Sequence, residues 1–185
     1  MRIIAGKHKS RKLTALEGLN TRPMTDKMKE TIFNIIGPYL NGDVVLDLFG
    51  GSGALSLEAI SRGASHVDIV ELSREAIRII KENIASLREE DSITIYHLDY
   101  QLALNTFARE KKKFDLIFLD PPYRLDIIKE IIDFLIANEM LADEGIIVCQ
   151  YQRNNYFPEG TKILKIRKNF HYGSSEVCIY QKKEG

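Results

Sequence analysis

The 185-residue chain has no apolar run approaching the roughly 18 residues needed to cross a bilayer, which excludes a membrane-spanning helix. Its first residues, MRIIAGKHKSRKL, start basic but contain neither a long apolar stretch nor a small-residue cleavage site. No signal peptide is therefore expected, and a cytoplasmic location follows. Cysteine is scarce: only Cys149 and Cys178 occur, each inside an apolar, strand-like run. Two buried free thiols are expected, because a disulfide is improbable in a cytosolic chain. Two cysteines and scattered histidines supply too few closely spaced ligands for a metal site, so no metal is expected. There is no net charge, no internal repeat and no low-complexity tract.

What is present is an ordinary soluble-domain composition, 44% hydrophobic and 28% charged, in a length that suits one core with a small appendage. The zero net charge hides an asymmetry. Residues 1–29 hold eight basic groups and two acids, leaving that segment at about +6 and the rest at about −6. The reading is a basic N-terminal extension over 1–25, bearing Arg2, Lys7, Lys9, Arg11, Lys12 and Arg22, with Lys27 just beyond it. Such an arm suits a phosphate backbone, although a merely solvated segment would look the same.

RIIAG and RKLTAL predict a hairpin. DKMKETIFNII (26–36) has helical spacing, with Thr25 or Asp26 as cap and Gly37-Pro38 as stop. From residue 43 apolar strands alternate with amphipathic helices: DVVLDLF, GALSLEAISRG, HVDIVEL, SREAIRIIKENIASL, SITIYHL, a helix over 101–109, FDLIFLD, a helix over 125–138, and GIIVCQY. KILKIRKNF and EVCIYQK close the chain as two strands around a turn, HYGSS. This pattern predicts an α/β fold: a Rossmann-like, mostly parallel seven-stranded sheet, covered on both faces, with an antiparallel hairpin at one edge.

Four features fall at carboxyl ends of expected parallel strands, where open α/β sheets bind ligands. The first is the turn Asp47-Leu48-Phe49-Gly50-Gly51-Ser52-Gly53, where glycines let the backbone approach a ligand. No Lys-Ser or Lys-Thr follows, so a phosphate-gripping loop is disfavoured. Asp47 would face a ligand's ammonium or a bound water, which suits the cationic amino-acid end of S-adenosylmethionine and would repel a pyrophosphate. The second is Glu71, placed to accept ribose hydroxyls. The third is Asp99, placed for an adenine amino group or, equally, to cap the next helix. The fourth is Asp120-Pro121-Pro122-Tyr123. Two prolines stiffen the backbone and hold a carboxylate, carbonyls and one ring. A carboxylate and a carbonyl that accept the two N–H bonds of an exocyclic amine would orient that poor nucleophile, while Tyr123 stacks on the base.

These motifs resemble class I N-methyltransferases that modify amino groups. The wider pattern resembles the bacterial 16S rRNA guanine-N2 methyltransferase family RsmD. The segments that carry the resemblance are Arg2-Ile3-Ile4-Ala5-Gly6-Lys7, Arg22-Pro23-Met24-Thr25-Asp26, Glu58-Ala59-Ile60-Ser61-Arg62-Gly63-Ala64 and Tyr172-Gly173, and it covers essentially the whole chain. Three positions depart from the family pattern. Gly50 stands where alanine is more common, Met24 where threonine is common, and His8 where tryptophan is common.

The resemblance implies S-adenosylmethionine as donor, no metal, and a class I methyltransferase domain over 26–185. It implies a guanine of 16S rRNA as target, of the guanine(966)-N2 type, in a partly assembled small subunit. A monomer is expected. The cofactor set is Asp47, Leu48, Phe49, Gly50, Gly51, Ser52, Gly53, Glu71, Leu72, Asp99 and Tyr100. The catalytic set is Asp120, Pro121, Pro122 and Tyr123, acting by in-line transfer to a flipped or unstacked base. Arg22 and Thr25 could also touch cofactor or base. The rivals are a DNA adenine-N6 or protein glutamine-N5 methyltransferase, and a non-catalytic RNA-binding module that kept the fold.

Overall fold

A computed structural model describes residues 1–18, 24–122, 127–156 and 158–185. The elements follow the expected alternation: α1 (Asp26–Ile36), β1 (Val44–Asp47), α2 (Ala54–Ser61), β2 (His66–Val70), α3 (Arg74–Leu87), β3 (Ile93–Tyr96), α4 (Tyr100–Arg109), β4 (Phe114–Leu119), α5 (Ile128–Ala137), β5 (Leu141–Gln152), β6 (Leu164–Tyr172) and β7 (Ser175–Lys182). Thr25 caps α1 by accepting a hydrogen bond from the Met28 N–H, and Gly37 ends it at φ 132°. Ser73 caps α3 in the same way.

The seven strands run in the order β3-β2-β1-β4-β5-β7-β6. β1 to β5 are parallel neighbours, whereas β7 pairs antiparallel with both β5 and β6. The expected edge hairpin is therefore present. α1, α2 and α3 cover one face of the sheet with Phe33, Leu57, Ile60 and Ile80. α4 and α5 cover the other with Leu104, Phe107, Ile131 and Leu135. The chain changes faces between β3 and β4, and β4 then lies beside β1, which makes the carboxyl ends of those two strands the topological switch point.

The N-terminal hairpin exists and is docked. Arg2 and Lys12 bridge antiparallel, and Ile3 and Leu13 are buried in the same core as α1 and the sheet. Its path is set by a few buried polar groups. The Glu58 carboxylate of α2 accepts the Ile4 and Ala5 N–H groups at 2.9 and 3.1 Å. Ser61 donates to the Ala5 carbonyl and accepts from the His8 N–H. Gly6, at φ 88°, lies so close that a Cβ there would meet the Ser61 carbonyl oxygen at 1.7 Å. The segments Arg2 to Lys7 and Glu58 to Ala64, far apart in sequence, thus form one docking joint.

Candidate active site

A cavity of about 490 Å³ opens at the switch point, within the usual size of small-molecule sites. It is lined by Asp47, Leu48, Phe49, Gly50, Gly51, Ser52, Glu71, Leu72, Asp99 and Tyr100, together with Asp120, Pro121 and Pro122. The four sequence features therefore converge. Gly53 stands just behind the wall as the N-cap of α2 at φ 78°, its N–H closing the turn onto the Gly50 carbonyl at 2.8 Å. Gly51, at φ 58°, has open space where a side chain would point. A Cβ on Gly50 would meet Ile69 Cγ2 at 2.4 Å, so glycine rather than alanine suits this chain's own β2. Tyr123 and Arg22 lie outside the described residues.

Acids dominate the polar lining. Glu71 accepts the Gly51 N–H at 2.9 Å through one oxygen, and the Leu72 and Ser73 N–H groups at 2.8 Å through the other. This fixes the loop and the carboxylate relative to each other. Asp99 caps α4 through Oδ1, which accepts the Gln101 N–H at 2.9 Å, and it also faces the cavity. The two readings offered for it are compatible. The Phe49 and Tyr100 rings pack tilted against each other, 5.5 Å between centres.

Asp47 is buried and accepts a 2.6 Å hydrogen bond from Ser56 Oγ. Burial lifts its carboxyl to about 6, with Glu71 adding to the rise and the Ser56 bond opposing it. Asp120 opens into the cavity but is ringed by protein. That desolvation, with the nearby Asp47 charge, raises it to about 7. The Asp47 charge thus acts on Asp120, whereas Asp47 itself responds chiefly to its own burial and to Ser56 and Glu71.

Several wall residues were not anticipated. Met1, Ala15, Leu16, Glu17 and Met24 bring the N-terminal segment and the residue before the α1 cap to the cavity, with Leu55 beside them. Asn83, buried on α3, holds this wall. Its Oδ1 accepts the Thr14 N–H at 2.8 Å, and its Nδ2 donates to the carbonyls of Thr14 and Ser52 at 2.9 Å. The signal was a polar residue on the apolar stripe Ala76, Ile80, Asn83, Ile84, Leu87, where a side chain must find partners.

The N-terminal cations are distributed unevenly. Arg2 pairs with Asp26 at 3.0 Å, Lys7 with Glu89 at 2.5 Å, and Arg11 donates to the Ser86 carbonyl at 2.6 Å. Burial opposes the Glu89 charge, but hydrogen bonds from His8, Lys7 and Ser92 outweigh it and hold the carboxyl below its ordinary value. Lys9, Lys12 and Lys27 make no ion pair among the described residues. The hairpin tip lies past the carboxyl end of α3, a helix of 14 residues and hence roughly 21 Å long, whose cap Ser73 lines the cavity. Lys7 and Arg11 are thus remote from Asp120.

The family model described as "Conserved hypothetical protein 95" matches residues 1–181. The chain is 31% identical to "Ribosomal RNA small subunit methyltransferase D" of Escherichia coli strain K12, over 99% of this chain and 90% of that one. This chain belongs to the RsmD family. It is 40% identical to "Putative rRNA methyltransferase YlbH" of Bacillus subtilis over 99% of this chain and all of that one. Among solved structures, "Putative methyltransferase yhhF from Escherichia coli" superposes with a TM-score of 0.85 at 32% identity, covering 99% and 98% of the two chains. Membership in the RsmD family and the observed sheet agree on a Rossmann-like class I methyltransferase fold. No described helix is long and apolar enough to cross a membrane, and no described cluster of side chains has a metal-binding arrangement.

Proposed function

We propose that this chain transfers the methyl group of S-adenosylmethionine to the exocyclic N2 of a guanine in small-subunit rRNA, the 16S guanine(966)-N2 type of reaction. The observation that carries the reading is Asp120: a carboxyl held by Pro121 and Pro122 at the end of β4, opening into the same cavity as Asp47, Glu71 and Asp99. Family membership supports methyl transfer to rRNA.

The cavity fits the proposed donor on its chemistry. Its lining offers carboxylates to hydroxyl, amine and positively charged groups, an aromatic pair beside an apolar wall, and an open glycine turn. The charged side chains of the described lining are all acids, which would repel a phosphate. In this reading Glu71 accepts ribose hydroxyls, Asp99 lies by the adenine, and Asp47 with the turn Leu48 to Gly53 holds the amino-acid end. When bound, S-adenosylmethionine supplies an electrophilic methyl group. Asp120 and the Pro121 carbonyl accept the N–H bonds of the target amine and align its lone pair, so the gain is mainly positional. Tyr123 stacks on the base, and the amine proton leaves to Asp120 or water. Lys9, Lys12 and Lys27 hold RNA backbone, with Arg2, Lys7, Arg11 and Arg22 as further cations of the same segment. The substrate is a partly assembled subunit in the cytoplasm, and the enzyme acts as a monomer.

The test is methyl transfer from radiolabelled donor to small subunits from cells lacking the endogenous activity, with DNA and release-factor protein in parallel. Label recovered as N2-methylguanine in small-subunit RNA is the expected result, with Asp120→Asn at least 100-fold slower. Label on DNA or protein would overturn the substrate. Cofactor binding without transfer anywhere would favour the RNA-binding module.

A further inference from the structure

β6 is an edge strand of unusual character. From Thr161 to Ser175 there is no acid, while Lys162, Lys165, Arg167 and Lys168 are all exposed. None of the four makes an ion pair or side-chain hydrogen bond among the described residues. The β6–β7 register shifts between Ile166 and Lys168, so Lys165 pairs with Gln181 and Lys168 with Ile179. Arg167 is the extra residue. Without that bulge, Lys165 and Lys168, three apart, would point to opposite faces. With it, they share one.

That face is the one bearing Asp120. Cross-strand partners lie on the same side of a sheet, and the partners run Phe118 with Val148, Val148 with Ile179, and Ile179 with Lys168. One row nearer the cavity, Gln150 pairs with Val177 and Val177 with Phe170; in the next, Gln152 pairs with Ser175 and Ser175 with Tyr172. Phe170 therefore stands level with Asp120, three strand spacings away, or roughly 14 Å. Both aromatic residues are only partly buried.

We propose that β6 is a second RNA-holding surface. Unpaired RNA flanking the target nucleotide leaves the cavity over Phe170 and Tyr172, and its backbone then runs down the strand against Lys168 and Lys165. Aromatic platforms followed by a cationic track are what single-stranded RNA requires. Edge lysines also prevent strand pairing between molecules, but that role is indifferent to face, and it accounts neither for the bulge that aligns the two lysines nor for the aromatics above them. The inference rests on the rRNA substrate proposed above.

The experiment measures affinity of the full chain for a small-subunit rRNA fragment against salt, alongside S-adenosylhomocysteine affinity and methyl transfer to small subunits. Lys165→Ala/Lys168→Ala should weaken RNA binding by ~10- to 30-fold near 0.1 M salt. It should flatten the slope of log K against log salt by about 1.4, two phosphate contacts on a single strand. Cofactor affinity should not move. Tyr172→Leu, which keeps apolar packing, should weaken RNA binding without changing the slope. The control Lys81→Ala/Lys111→Ala removes two exposed lysines elsewhere and should leave the slope intact. If the β6 double variant keeps the wild-type slope while wild type methylates rRNA, or if the control flattens the slope equally, the surface is overturned and the enzyme reading stands. If wild type modifies only DNA or protein, the reading itself fails and this surface with it.

Discussion

The N-terminal hairpin and the edge strand β6 are both rich in cations, yet three of the hairpin's five are tied to the protein itself and those of β6 are not. In the hairpin, Arg2, Lys7 and Arg11 are tied to Asp26, Glu89 and the Ser86 carbonyl. Even the buried Lys29 of α1 is turned inward, toward Glu58 and the Arg2 carbonyl. Along β6 and just before it, Lys162, Lys165, Arg167 and Lys168 have no such partners among the described residues. The same residue types thus fasten a segment in one region and leave a charged surface in the other. A positive run in a sequence counts charges, and only the fold shows which are already neutralised.

The contrast can be broken most forcefully at Glu58. Glu58→Ala would leave the Lys29 ammonium buried without its carboxylate and the Ile4 and Ala5 N–H groups without acceptors. A loss of about 3–5 kcal/mol is expected for such a disrupted buried pair, read from denaturant unfolding. A loss below 1 kcal/mol would mean the hairpin is not held by this joint.

The pH profile sharpens the other end of the hairpin, where it walls the cavity. The Asp47 and Asp120 carboxyls are raised in the folded protein to about 6 and about 7, so the fold binds their protons more tightly than the unfolded chain does. Their contribution to stability is complete below about pH 4 and is lost as pH rises through 6 to 7. Asp120→Asn should therefore stabilise the protein at pH 8 by about 1–2 kcal/mol, a figure discounted for the open side of the cavity. If Asp120 acts as a carboxylate, kcat/KM should fall about tenfold per unit below pH 6. A flat profile from pH 5 to 8 would remove Asp120 from that role.

Asn83→Ala should separate the wall from the charge. Freed from Thr14 and Ser52, the segment and the glycine turn lose their common tie. S-adenosylhomocysteine affinity should drop about tenfold, near 1.4 kcal/mol, with the RNA salt slope unchanged. A change in slope with no change in cofactor affinity would reverse the assignment. The smallest effect is expected for Lys7→Ala. A half-exposed pair is worth about 1 kcal/mol or less, and the RNA salt slope should stay within error. A flattening of the slope by about 0.7, one phosphate contact on a single strand, would erase the distinction between the two regions.

Much of the site was legible because its acids sit at strand ends. A short apolar run such as FDLIFL, closed by Asp-Pro-Pro, reads as a buried strand, and Asp120 follows it directly. In a parallel sheet every such end points the same way, so Asp47, Glu71, Asp99 and Asp120 share one edge, and the order β3-β2-β1-β4 then brings them together. The wall formed by Met1, Ala15 and Leu16 was not legible, since it depends on an Asn83–Thr14 contact spanning 69 positions that no local periodicity encodes. The face of Lys168 was equally hidden, because one extra residue at Arg167 reverses the alternation, and strand composition is silent on bulges. Nor could a charge count reveal that the hairpin tip turns away from the cavity, which follows from the direction in which α2 and α3 run.

Cys149 and Cys178 are direct cross-strand partners on β5 and β7, both buried and free. Burial raises both thiols, Cys178 to about 12 and Cys149 well above its ordinary value. Alkylating reagents attack the thiolate, and both side chains are buried, so slow thiol labelling of the folded native chain is expected. A fluorophore or spin label could therefore be attached at a single introduced cysteine on β6 or in the hairpin without first stripping the native ones. The molecule arrives already prepared for watching, one site at a time, where RNA touches it.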